Sequence, residues 1–200
     1  MGNAVAQMVG EQMIEWIILG VIILIVLIAA YYYNSMMGLN NQAQADWKLI
    51  EPLLQQRLDT IPNLIEVAKR VMKQEKELFV GISKAREEAI KANDMAGKMK
   101  ANQKVGALLG NLYARAEAYP EMKSNQSMQM VMEQISGIED KIKYGRQRYQ
   151  YTVQDYTNAT TMMPGSFFAG LFGFRSDKWP YFEADDAAKK APDVAKLLKD

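Results

Sequence analysis

The chain has 200 residues, with 24 basic and 23 acidic side chains. Its length somewhat exceeds the usual single-domain value of about 150 residues, and its bulk charge selects no partner. Histidine and cysteine are both absent. That excludes disulfides, thiolate nucleophiles, Ser-His and Cys-His catalytic pairs, and His/Cys zinc or iron–sulfur sites.

The first element in chain order is apolar. No charged side chain occurs from Trp16 to Ala45, and Trp16 to Ala30 reads WIILGVIILIVLIAA before Tyr31, Tyr32 and Tyr33. About 18–20 such residues suffice to cross about 30 Å of hydrocarbon as a helix. The run is apolar on every face, as Leu19, Ile23, Val26 and Ala30 illustrate, and it is bounded by Trp16 and Tyr33 where interfacial aromatics belong. A signal peptide would need a basic start, whereas the first fifteen residues carry only Glu11 and Glu15 as charges. The sequence therefore predicts a 1–15 tail and a transmembrane helix over 16–33. Lys48 and Arg57 lie on the far flank only, so the positive-inside bias puts the N-terminus outside and the body in the cytoplasm.

Beyond the anchor, residues 34–200 hold all 24 basic residues and all but Glu11 and Glu15 of the acidic ones. Trp47, Leu54, Ile61, Ala68, Ile82 and Ala89 recur by sevens, interrupted by Glu75. Ile50, Leu64, Val71, Leu78 and Ala85 fill the offset of three, with Arg57 the exception. This spacing predicts a helix burying one stripe and running to about Ala92. Pro52 and Pro62 each remove a backbone donor, so one bent helix or two stacked ones are expected, with Asp59 or Thr60 capping a restart. A second helix is predicted over Lys100–Tyr119, ended by Pro120. A third runs from a cap at Ser124 or Asn125 to a stop at Pro164, with Met128, Ile135, Ile142, Tyr149, Tyr156 and Met163 spaced by seven. Loops are expected near Asn93–Met99 and Tyr119–Asn125. No strand alternation or hairpin turn occurs. The predicted fold class is all-α: one N-terminal transmembrane helix followed by an elongated antiparallel bundle of three to four long helices over 34–182. The Ala-, Lys- and Asp-rich stretch 183–200 is expected to be a mobile tail or a short surface helix.

Several residue groups together resemble one family. Tyr33-Asn34, Asn41 and Trp47 precede Arg57-x-Asp59-x-Ile61-Pro62-Asn63-Leu64, and Ala116-Glu117-Ala118-Tyr119-Pro120 follows. Then come Gly137-Ile138-Glu139, Ile142, Arg146, Tyr149, Val153 and Tyr156, and the tail Gly170-Leu171-Phe172-Gly173-Phe174. In this order, over about 30–182, they resemble the LemA family. The resemblance implies an N-terminal transmembrane helix, a long helical bundle, and a bacterial inner (cytoplasmic) membrane or an internal membrane derived from it. It also implies a link to magnetosome-type organelle formation, because magnetosome-membrane proteins resemble the same family. The chain departs from the family pattern at Gln74-Glu75, where His-Glu is usual, and at Tyr149-Gln150 and Tyr156-Thr157, where Tyr-Asn pairs are frequent.

Two stretches stand out as partner-binding candidates. Arg57, Asp59, Pro62 and Asn63 form an elbow whose exposed backbone groups could be read by a partner, or simply capped. Phe167, Phe168, Phe172 and Phe174 lie in the uncharged run Pro164–Phe174, which either touches membrane or partner, or folds back over the bundle end. If three helices alternate, this run ends away from the anchor; a fourth pass returns it. Met128, Met130 and Met132 could hold Cu(I), but helical spacing separates Met130 from the other two and methionine is a ready core filler. Tyr144, Tyr149, Tyr151 and Tyr156 with Arg146 and Arg148 could suggest nucleic acid, but Tyr149 and Tyr156 belong to the core series and Glu139, Asp140 and Asp155 interleave. The expectation is a non-enzymatic, membrane-anchored scaffold or adaptor organising membrane protein assembly, with no metal or cofactor. Its expected partners are the bilayer, other membrane proteins or a second copy, and not nucleic acid. The alternative is a sensor or regulatory partner of a membrane protease or signalling protein.

Overall fold

The computed structural model describes residues 2–182, with side chains from residue 11 onward except 123 and 124. The expected tail over 183–200 lies outside the described residues. Six helices follow one another: α1 (Gly2–Val71), α2 (Lys76–Lys91), α3 (Met95–Ala116), α4 (Pro120–Ser124), α5 (Gln126–Thr161) and α6 (Gly165–Phe172), with no strand among the described residues. The chain divides into two compact units. An anchor unit takes residues up to 44 together with 152–179, and a bundle unit takes 45–151 with the chain from 180.

In the bundle unit the heptad stripes become the core. Leu54, Ile61, Leu64, Ala68, Ile82, Ala85 and Ala89 are buried, as are Val105, Leu109, Leu112, Met128, Ile135 and Ile142. The helices α1 and α5 pack antiparallel: Trp47 meets Tyr149 edge to face at 6.1 Å, and Arg57 bonds Glu139. Where they cross, a Cβ on Gly145 would come within 2.9 Å of Ile50 Cγ1. The stripe therefore needs its small residue there.

One alternative is decided and two expectations are corrected. First, of one bent helix or two stacked ones, a single helix is found: α1 runs unbroken through Pro52 and Pro62. Proline 62 cannot donate to the Leu58 carbonyl, but Arg86 Nε reaches across from α2 and donates to it at 2.7 Å. Thr60 donates to Gln56 O and Asp59 accepts from Gln55, so neither caps a restart. Second, the break falls instead at 72–75, and α2 starts afresh at Lys76. Third, α3 starts earlier, at Met95, where Asp94 accepts from Gly97 N. It ends at Ala116, and Pro120 opens the short α4 instead of closing α3. The cap of α5 is Asn125, whose Oδ1 accepts from Met128 N at 3.1 Å.

In the anchor unit, Met36, Phe168 and Ala169 form a small core, flanked by Ala29, Tyr32, Ala159, Phe172 and Phe174. An even number of long helices (α1, α2, α3 and α5) precedes α6, and α6 packs on α1 at residues 29–36.

Candidate functional site

The anchor unit places an aromatic collar on the C-terminal side of the apolar run. Trp16 to Leu27 is exposed throughout, and α1 is the one helix among the described residues long and apolar enough to cross a membrane. Leu19, Ile23 and Val26 all lie open, and so does Ala30. Immediately after it, Tyr32 stacks on Phe168 at 5.0 Å, and Tyr33 meets Phe172 at 5.2 Å and Phe174 at 5.8 Å, edge to face. Most of the Phe-rich run is thus a helix. Gly173 ends it at φ 74°, a left-handed position that costs a side chain energy, and Phe174 N then donates to Ala169 O at 2.9 Å. That turn carries Phe174 back onto Tyr33. Gly165 is equally constrained, since a Cβ there would strike the Ala159 carbonyl oxygen. Behind the collar, Tyr156 donates to Arg175 O and Lys178 donates to Asn40 Oδ1. These close a groove of about 420 Å³ within the unit.

Phe168 is thereby buried and Phe172 and Phe174 are half-buried, while Phe167 points outward. One face of the segment folds back on α1, and the other is open.

The elbow divides differently. The Arg57 side chain is only 4 % exposed. Its Nη1 donates to Glu139 Oε1 at 2.7 Å, and its Nη2 to Asn102 O and Oδ1 at 2.6 and 2.9 Å. Its Nε, also buried, has no hydrogen-bond partner; the two Nη groups fasten α1 to α3 and α5. Asp59, Pro62 and Asn63 face solvent on the opposite side of α1. Tyr113 completes this polar interior. Its hydroxyl is buried without a hydrogen-bond partner, and burial, followed by the charge of Glu139, pushes its pKa up to about 12. A second junction joins Trp47, Tyr149 and Phe182, with Arg146 over the Phe182 ring at 4.4 Å. Tyr149 donates to Pro180 O, and burial raises its pKa.

A surface not foreseen in the sequence lies where α1 ends and α2 begins. Lys69, Lys73, Lys76 and Lys84 rim a groove of about 840 Å³, with Met72, Phe79 and Val80 along its floor. Val80 is 67 % exposed although apolar. Among the described residues none of the four lysines is in an ion pair, and Glu87, the one acid at the rim, faces Lys91 at 3.9 Å. The lysines look like ordinary solvated helix surface in sequence. The available signal is the i, i+4 pattern Lys76, Val80, Lys84, which puts an apolar residue between two cations on one helical face.

No group of three or more carboxylates that could hold a metal ion occurs among the described residues. Met128 is core, Met132 is packed against it, and Met130 is exposed.

A family model described as the LemA family matches residues 46–195. Among curated proteins, the chain is similar to magnetosome protein MamQ of Magnetospirillum gryphiswaldense, at 24 % identity over 169 residues, covering 72 % of this chain and 62 % of that protein. It is similar to magnetosome proteins MamQ 1 and MamQ 2 of Paramagnetospirillum magneticum at 23 % identity, covering 78 % of this chain and 66 % of each. The chain thus spans a little under two thirds of the length of these relatives.

Proposed function

The chain belongs to the LemA family, and from that premise we propose that it is a non-enzymatic, membrane-anchored helical scaffold that gathers membrane proteins into an assembly. The observation that carries this reading is α1 itself. One unbroken helix is both the candidate membrane span and the longest element of the bundle. A partner held on the bundle is therefore tethered to the bilayer through continuous helix. In the polar interior, Arg57 bonds Asn102 and Glu139 and so joins three helices, which supports a structural use of these charges. In a domain division of anchor over 16–33 and body over 34–182, the body faces the cytoplasm and the membrane is the bacterial inner membrane or one derived from it. The MamQ relatives favour an organelle-membrane version of this role.

The lysine-rimmed groove is the surface for the partner. An apolar floor between cations fits an acidic amphipathic helix, with its apolar face on Val80 and its carboxylates among the lysines. The solvent face of the elbow, Asp59, Pro62 and Asn63, is a further contact. Native gel electrophoresis of gently solubilised membranes tests the scaffold reading. An assembly larger than the monomer is expected, reduced by the combined Lys69→Glu, Lys73→Glu, Lys76→Glu and Lys84→Glu changes. A monomer under every mild detergent would contradict it.

A further inference from the structure

The open face of α6 has the chemistry of a membrane contact. Phe167 and Leu171 stand four residues apart on that helix, and they are 65 % and 67 % exposed. Gly170 lies open between them, and Met163 just before the helix is 79 % exposed. No charge occurs from Pro164 to Phe174, and the first one after it, Arg175, is paired with Asp177. Large apolar side chains aligned on one side of a surface helix are costly in water.

The helix is also fixed in height along the anchor. Phe167 packs edge to face on Phe168 at 5.4 Å, Phe168 stacks on Tyr32 at 5.0 Å, and Tyr32 meets Tyr31 at 5.5 Å. A chain of four touching rings thus links the open face of α6 to the tyrosines that follow the apolar run. Tyrosines at the end of a spanning helix sit at the headgroup level, so α6 sits there too. Eight residues of helix extend only about 12 Å, too short to cross about 30 Å of hydrocarbon.

We propose that α6 is a second, non-spanning membrane contact: it lies in the interface of the leaflet from which α1 emerges, with Phe167 and Leu171 inserted among the lipids. The occupant is the lipid of the membrane that α1 crosses, because the face is continuous with the collar of that helix through the stacked rings. Interfacial helices of this kind bury an apolar face about 5–10 Å deep without crossing. In this reading the hairpin of α5 and α6 fixes how α1 leaves the bilayer. The inference rests on α1 as the anchor, and its test separates the two.

The chain has no cysteine, so single-cysteine variants need no background changes. Phe167→Cys and Leu171→Cys, each with a nitroxide label, are reconstituted as full-length protein in phosphatidylethanolamine–phosphatidylglycerol vesicles. Accessibility to oxygen and to a water-soluble nickel chelate is then read by power saturation. Ile22→Cys serves as the lipid reference and Gln147→Cys, on the exposed side of α5, as the water reference. Both α6 positions are expected to favour oxygen over nickel, at a shallower depth than position 22. Nickel accessibility matching position 147 at both sites, with position 22 still in lipid, would overturn the proposal and leave the anchor standing. Shielding from both reagents would overturn it as well, by showing protein on this face. Position 22 itself reading as water would instead defeat the anchor.

Discussion

The Arg57–Asn63 stretch of the bundle unit and the Pro164–Phe174 stretch of the anchor unit both stand out in the sequence, and the fold uses them in opposite ways. The first is polar and turns its strongest group inward: Arg57 is consumed by Asn102 and Glu139. The second is apolar and turns half of its bulk outward, leaving Phe167 and Leu171 open. A charge in a helical interior needs partners, and Arg57 finds them through both Nη groups. The contrast separates a structural lock from an open apolar surface.

The largest expected effect breaks the lock. Arg57→Ala leaves Glu139 and Asn102 without their donor and should destabilise the bundle unit by about 3 kcal/mol, measured by urea unfolding of the full chain in detergent. Next come the two crowded glycines, one in each unit. Gly145→Ala drives a methyl into Ile50 and should cost about 1–3 kcal/mol. Gly165→Ala meets the Ala159 carbonyl, which is rigid backbone, and should show as lost near-ultraviolet signal from the Tyr32–Phe168 stack. Gly173→Ala asks a side chain to hold a left-handed φ, at about 1–2 kcal/mol, and should loosen Phe174 from Tyr33. The smallest stability change belongs to the open face. Phe167→Ser should shift unfolding by less than about 0.5 kcal/mol.

Alkaline titration sharpens the lock further. The phenol of Tyr113 has its pKa raised to about 12 from the usual 10, chiefly by burial. The folded chain therefore prefers the neutral form more than the unfolded chain does. That preference is fully present below pH 10 and is lost as pH rises from 10 through about 12. Tyr113→Phe should flatten this part of the alkaline unfolding curve. It should not weaken the fold at neutral pH, because the hydroxyl it removes has no hydrogen-bond partner. A midpoint that keeps the wild-type alkaline slope would contradict that role for Tyr113.

Much of this was legible in the residues. The seven-residue stripes name the buried faces of α1, α2 and α5, and the uncharged run names the anchor. Arg57 was itself a flag, as a charge in an apolar slot of the stripe, but its partners Asn102 and Glu139 lie 45 and 82 residues away and leave no local trace. The break at 72–75 was hidden because Lys73-Gln74-Glu75 contains no glycine or proline. Tertiary contacts hold the turn, through Glu75 with Arg115 and Tyr119. Pro62 left a bend and a break both open, and its local rule cannot see that Arg86 takes up the freed carbonyl from another helix. Among the glycines of Pro164–Phe174, only Gly173 has positive φ, so the run can form the helix α6. The lysine groove was illegible because its two walls come from different helices joined by the unforeseen turn.

Whether the lysine-rimmed groove of the bundle holds a protein partner is tested by a photo-crosslinking residue at Val80. In native membranes, one discrete adduct is expected whose crosslinked peptide is acidic and amphipathic, and which disappears when Lys69, Lys73, Lys76 and Lys84 are changed to glutamate. No protein adduct, or one that survives that charge reversal, would contradict it.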